Sequence, residues 1–277
     1  MSYLKLKSLT TVTIIALCAS AATFQRGDHS VPAGQSRPKK AGVIAPAQNG
    51  PTDCKGLSVS WDQSLFTGMK VETVKATPMS NPTDKPDGYY PEHLRLSFSG
   101  SYQLRVKSSY EPEINIYPVA GFRAVFSVAP ENAKSFPAEI QRLKRLIFRQ
   151  PKFWPGEIPY PLSHDASQMF HAKLRYAGFD NGKGVLFLTQ YTQDMMLVTN
   201  ESIICNFQGI TSDGQYYIEA DFPVSTPTLP NENSATRHDG YRLPMNPGRS
   251  GEKVHRAYVN RIARRLDKQP SDQFTPI

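Results

Sequence analysis

The sequence predicts an α+β fold: an antiparallel β-sheet ending in a C-terminal four-stranded meander, with two amphipathic helices packed on it. Short runs of β-branched and aromatic residues recur between clusters of Pro, Gly, Asn and Asp, as strands bounded by turns do. Two of those clusters, Asn181-Gly182 and Ser212-Asp213-Gly214, have the composition of hairpin turns. Two other stretches, 135–151 and 250–268, repeat apolar residues at helical spacing. With 277 residues, 39% of them hydrophobic, the chain can bury a sizeable core, and its 23 prolines speak against a helical bundle.

At the N-terminus, "MSYLKLK" sets Lys5 and Lys7 ahead of the apolar run "LTTVTIIALCASAA", and Ala19-Ser20-Ala21 fits the small-residue cleavage pattern. Residues 1–21 are therefore expected to be a signal peptide, since the apolar run is shorter than the roughly 20 residues a span requires. Cys18 is a candidate lipidation site, which leaves a lipid anchor open beside simple cleavage. Residues 22–54 alternate Pro and Gly with no aromatic residue between Gln25 and Thr52, the composition of a flexible linker. A single α+β domain is expected over residues 55–277, ending in a basic helix.

Within it, "GLSVSW", "GMKVETVKA", "HLRLSFSGSY" and "EINIYPV" read as strands, and Asp87-Gly88 as a turn in the loop between the second and third. "SFPAEIQRLKRLIFRQP" reads as a helix with Ser135 as N-cap, Pro137 in the first turn and Glu139 near the positive end of the dipole. Phe136, Ile140, Leu143 and Ile147 form its core stripe, and Pro151 stops it.

"GFDNGKG", from Gly178 to Gly184, raises the question of a phosphate-binding loop. A P-loop needs four residues between its glycines and a Ser or Thr after the lysine, and it leads into a helix. Here three residues separate Gly178 from Gly182, Lys183 is followed by Gly184, and "VLFLTQY" beyond reads as a strand. The segment is predicted to be a hairpin turn with Asn181 and Gly182 both at positive φ in a type I′ turn. That register sets Lys173 opposite Gln190 and Arg175 opposite Leu188. "SIICNFQGI" and "QYYIEADFPV" supply the next two strands, and Phe170, Leu174, Phe187, Ile203, Phe207, Ile218 and Phe222 are the expected core.

The last element, "SGEKVHRAYVNRIARRLDK", is a predicted helix capped by Ser250, with Val254, Tyr258, Ile262 and Leu266 on its apolar stripe and His255 off it. Residues 237–277 carry nine basic and four acidic side chains, so much of the formal net charge of +8 gathers at the end of the chain. Arg261, Arg264 and Arg265 are the expected contact with an anionic envelope polymer or a phospholipid surface. Nucleic acid is not an expected partner, because this helix lacks interleaved exposed aromatics.

No catalytic, cofactor or metal site emerges from motif spacing. There is no G-x-S-x-G elbow, no H-E-x-x-H among the six histidines, and no cysteine pair at finger spacing. Ser163-His164-Asp165 has triad residue types, but sequence neighbours point apart whereas a triad converges from separate segments. Cys54 and Cys205 are either a disulfide or two separate buried thiols. Asn200-Glu201-Ser202 has the form of a glycosylation sequon. The polar side of the meander is a candidate ligand platform carrying Lys173 and Arg175. Asn206, Gln208, Glu219 and Asp221 lie on that face or its reverse, and Tyr216 and Tyr217 read as ordinary strand aromatics.

Taken in order, "SVSWDQSL", "EINIYPVAGF", "SQMFHAKLRYAGFDNGKGVLFLTQY", "YYIEADFPVSTPTLP" and "LDKQPSDQFTPI" resemble a family of uncharacterised bacterial exported proteins, many of them lipoproteins. The resemblance spans Ser58 to Ile277 and is most specific in "FLTQY" and "FQGITSDGQYY". It implies export to the periplasm or extracellular side and brings no catalytic residue with it. The expectation is thus a non-catalytic envelope protein that binds or assembles at the cell surface or in the periplasm. The alternative is an exported hydrolase of an envelope polymer using His164, Asp165 and His171.

Overall fold

The computed structural model describes residues 10–13, 52–54, 57–60 and 65–276, apart from 84, 86, 101–106, 163, 164 and 245–247. Seven strands form one sheet: β1 (Gly68–Val74), β2 (His93–Ser99), β3 (Glu113–Pro118), β4 (Ala172–Phe179), β5 (Gly182–Thr189), β6 (Ile204–Thr211) and β7 (Tyr216–Ser225). Their order is β1-β2-β3-β7-β6-β5-β4, with every neighbouring pair antiparallel. The chain lays down three strands, crosses through helix α1 (Pro130–Arg149) to the far edge, and works back until β7 pairs with β3. Thr275–Pro276 adds a short pairing at the end of β7. This is the α+β fold with an antiparallel sheet that the sequence predicts.

The two long helices take opposite faces. The apolar stripe of α1 (Phe136, Ile140, Leu143, Ile147) packs with Tyr117, Val185, Phe187, Ile210 and Tyr217. On the reverse face, Tyr258, Val259, Ile262 and Leu266 of α2 (Arg249–Lys268) pack with Ala172, Leu188, Cys205 and Val224. Beyond the reach of α2, the reverse face is filled by Leu94, Leu96, Phe98, Ile114, Ile116, Phe207 and Ile218 around Phe66. The expected core residues therefore divide between faces: Phe187 lies under α1, while Phe207 and Ile218 lie on the other side. Leu174 and Phe222 are half-buried, and the other expected core residues are buried.

Several local expectations are corrected. Helix α1 starts five residues before Ser135, with Pro130 in its first turn, where its fixed φ and missing N–H suit a helix start. Pro137 is internal, and Gln150 at φ 47 ends the helix with its N–H on the Leu146 carbonyl. Ser250 is likewise inside α2, which starts after Gly248 without a side-chain cap. Val254 is 56% exposed, and the adjacent His255 is buried instead, its Nε2 paired with the Met196 carbonyl at 2.8 Å. The packed stripe of α2 is thus rotated by one residue at its N-terminal end.

The "GFDNGKG" segment is a hairpin, but not of type I′. Phe179 pairs with Gly182 across a two-residue turn at Asp180-Asn181, and neither Asn181 nor Gly182 is at positive φ. Arg175 consequently faces Leu186, two residues from the expected partner, and a bulge with Lys173 at φ 56 shifts Ala172 opposite Leu188. The glycines serve close packing. A Cβ on Gly182 would lie 2.2 Å from the Phe179 ring, and one on Gly184 would lie 2.3 Å from the Phe207 ring. Asp87-Gly88 and the Ser212–Gly214 turn are as expected, with Gly88 and Gly214 at positive φ.

In the segment expected as a signal, Thr10–Thr13 forms a strand parallel to Leu57–Ser60, which also pairs with Thr52–Cys54. Cys18 and the side chain of Cys54 lie outside the described residues, and Cys205 is buried in β6. Among the described residues, no helix is long and apolar enough to cross a membrane.

Candidate functional site

The α1-side face of the sheet changes character halfway along. Beside the apolar patch under α1, two successive rungs are polar across five strands. One runs Glu72, Arg95, Asn115, Glu219, Gln208, and the next runs Lys70, Ser97, Glu113, Asp221, Asn206. Period-two alternation puts these residues on one face, because each strand pairs in register with the next. Arg175, by contrast, is on the α2 side and bonds Ser271, and the Lys173 ammonium donates to the Gln269 carbonyl. The polar face read from the sequence is therefore two faces. The one carrying Asn206, Gln208, Glu219 and Asp221 also recruits Arg95, Glu113 and Asn115, which sequence reasoning missed.

Tyrosines stand around this floor. The segment before β4 lies over it, held where the Ile158 amide donates to Gln168 Oε1 at 2.8 Å and where Gln168 pairs in register with Tyr191. Tyr160 donates its hydroxyl to Glu219 Oε1, and its ring lies 5.6 Å from that of Tyr191. Tyr110 contributes from the loop before β3, and Tyr217 from β7 itself.

Burial sets the ionisation of the group. Glu219, 5% exposed, has its pKa pushed well above the ordinary 4.5, first by desolvation and then by the negative charge of Asp221, against the opposing pull of the Tyr160 hydrogen bond. The half-buried Asp221 is raised to about 6, again mainly by desolvation, while the Asn206 amide donating at 2.7 Å favours its charged form. Arg95 is shared between Glu72 at 3.8 Å and Glu113 at 3.6 Å, and Asn115 Nδ2 donates to Glu113 at 2.9 Å. Burial thus pushes Glu219 toward its neutral form, while Asp221, raised to about 6, ionises as pH approaches neutrality. Tyr160, Tyr191 and Tyr217 are neutral phenols, raised well above 10.0 by burial first. Among the described residues, the buried polar atoms left without a partner include, on this face, the Tyr217 hydroxyl and Gln208 Oε1. Both residues are fully buried, and Tyr217 lies close enough to feel the charges of Glu219 and Asp221. A buried donor and a buried acceptor left open on neighbouring rungs of one face are what a bound polar molecule would satisfy.

Stability should register this arrangement. A carboxyl whose folded pKa is raised contributes most below its unfolded value of 4.5 and loses that contribution as pH rises toward the folded pKa. Each pH unit in that window costs about 1.4 kcal/mol. Glu219→Gln keeps an acceptor for Tyr160 and abolishes the titration. It is expected to be more stable than the parent at about pH 8 and equal to it at about pH 4, as urea denaturation at the two pH values would read. Equal stability at both would mean that Glu219 is not held protonated.

The residues of the hydrolase alternative do not meet among themselves. His164 lies outside the described residues. Asp165 is exposed and bonds Lys85 at 3.3 Å and Gln193 at 3.1 Å. His171 has its pKa lowered by burial first and feels Asp267, on α2, rather than Asp165. It borders a groove of about 1100 Å³ between Phe153, Trp154 and the His255, Arg264 and Asp267 positions of α2. The three arginines expected to meet an anionic partner are partly engaged. Arg261 and Arg265 grip Asp239 at 2.7 and 2.5 Å and hold its pKa down at about 2, and Arg264 donates to the Asn260 carbonyl at 3.2 Å. Among the described residues no three His, Cys, Asp or Glu side chains converge to hold a metal ion. The sequon asparagine, Asn200, is 1% exposed and fully engaged, so it is not a glycan acceptor in the folded protein.

No protein-family profile matches this chain, and no curated protein or solved structure is significantly similar to it.

Proposed function

We propose that the protein is an exported, non-catalytic envelope protein that binds a polyhydroxylated unit of an envelope polymer on the tyrosine-rimmed floor of its sheet. The reading of export rests on the first 21 residues, the Pro/Gly-rich segment after them and the resemblance to exported proteins, with Cys18 as the lipidation site if the chain is anchored. The observation that carries the binding reading is the open hydrogen-bonding capacity at Tyr217 and Gln208 beside Glu219 and Asp221. Sugar hydroxyls both donate and accept, so one unit could satisfy the Gln208 carbonyl and the Tyr217 phenol together. Tyrosine rings at the rim supply apolar area with a polar tip. The binding surface moves accordingly from the arginines of α2, two of which are held by Asp239, to the sheet.

One observation favours the hydrolase alternative: two carboxyls side by side, Glu219 pushed well above its ordinary pKa and Asp221 raised to about 6, in the manner of the carboxyl pairs that cleave a glycosidic bond by acid–base chemistry. Geometry argues against it. Glu219 and Asp221 rise from one strand and meet a ligand from the same side, whereas catalytic carboxyls flank the bond they cleave. Titration calorimetry with soluble fragments of envelope glycan tests the reading, comparing the full chain with Tyr217→Phe. The parent should bind without releasing shorter products, and the variant should fold with equal or greater stability yet bind about tenfold more weakly. Turnover of the fragments would reinstate the hydrolase, and unchanged affinity in the variant would remove the sheet floor from the account.

A further inference from the structure

The floor holds a negative charge that no basic side chain neutralises. Among the described residues Asp221 forms no ion pair: it accepts a hydrogen bond from the neutral Asn206, and Arg95 on the same face is committed to Glu72 and Glu113. Its cross-strand neighbour is itself a carboxylate, Glu113, and its neighbour two residues along is Glu219. The amides offer no further positive end, since Gln208 Nε2 is spent on Asn206 Oδ1 at 3.1 Å. A half-buried carboxylate left in this way is costly unless a ligand supplies the cation. Tyr110, Tyr160 and Tyr191 each lie near enough to feel the charge of Asp221, and tyrosine rings attract an ammonium group where water is thin. The unpartnered Tyr217 hydroxyl and Gln208 carbonyl independently ask for a hydroxylated ligand at the same place.

We infer that the unit bound on this floor is an amino sugar with a free, protonated amine, seated on Asp221 under the tyrosines while its ring hydroxyls meet Gln208 and Tyr217. The inference rests on the binding reading above and names its ligand class. The formal net charge of +8 on the whole chain works against polycations at long range, so the favoured ligand carries one free amine in an otherwise neutral or anionic polymer.

The test uses the full chain and two probes differing by one acetyl group: an N-acetylglucosamine trimer and the same trimer with a single free amine. At neutral pH and low salt, calorimetry should find the amine trimer bound at least about tenfold more tightly, a preference that shrinks as salt is added. Asp221→Asn, close to isosteric, should erase the preference, so that the variant binds the two trimers equally. The comparison on the parent protein needs no variant, so a folding defect in Asp221→Asn would not blunt it. Equal affinity for both trimers would overturn the amine while leaving the saccharide reading intact. Ethanolamine binding as tightly as the amine trimer would overturn the sugar. Binding of neither trimer would overturn both this inference and the binding reading beneath it.

Discussion

Gly184→Val is expected to destabilise the fold by about 3 kcal/mol or more, at the upper end of what overpacking a core position costs. A Cβ at Gly184 would sit 2.3 Å from two atoms of the Phe207 ring and 2.7 Å from the Gln208 carbonyl oxygen. The ring could swing away, but the carbonyl is fixed in the β5–β6 ladder, where Gly184 pairs directly with Gly209. Phe207 cannot move freely either, because it also lies over Gly209 and meets the Phe179 ring edge-on at 6.2 Å. Urea denaturation would read the loss as a lower midpoint with unchanged slope. Placing the substitution in a Phe207→Ala background should recover part of the cost, since the two sites share one space. A valine tolerated within about 0.5 kcal/mol would show that the glycine is not needed for the ring to lie on the backbone.

Asn200→Ala is expected to cost about 3 kcal/mol, the price of leaving several buried polar groups unpaired at once. The Asn200 carbonyl accepts the Thr226 N–H at 2.8 Å. Its amide donates to the Thr226 carbonyl at 3.0 Å, the Leu229 carbonyl at 3.3 Å and Asn231 Oδ1 at 3.1 Å. One side chain thereby ties the turn before β6 to the chain leaving β7. Thr226 continues the network to Gln269 at the end of α2, and Gln269 in turn accepts from Thr228 at 3.0 Å. Asn200→Asp should be no better, because a carboxylate facing three oxygen acceptors repels where the amide donated. Thermal unfolding should fall by roughly 6–12 °C for a domain of this size, and hydrogen exchange at the Thr226 amide should quicken first. A Thr226 amide as protected as in the parent would contradict the role assigned to Asn200.

The two substitutions mark where sequence reading ended. "GFDNGKG" could be excluded as a phosphate loop from its spacing alone, and its place between two strands made it a hairpin. The reason for its glycines was out of reach, because the rings that need them belong partly to another strand, on Phe207. The same holds for the sequon: the motif is local, but the burial of Asn200 comes from a loop 26 residues downstream.

Strand positions, the two long helices and the antiparallel α+β class follow from the sequence, because they depend on period-two and period-3.6 patterns within one segment. The alternation in "CNFQGI" and "YIEAD" also separated Asn206 and Gln208, and Glu219 and Asp221, from their apolar neighbours. What the sequence could not determine was register and partner. Whether those four polar residues share a face, and that Glu113, Asn115 and Arg95 join them from β3 and β2, depends on β7 pairing with β3 across the intervening residues 119–215. Local patterning cannot specify such a pairing, because a shift of one residue sends every side chain to the other face. Only the folded sheet brings Asp221 beside Glu113 with no ion pair among the described residues, and sets tyrosines from separate loops and strands within reach of its charge.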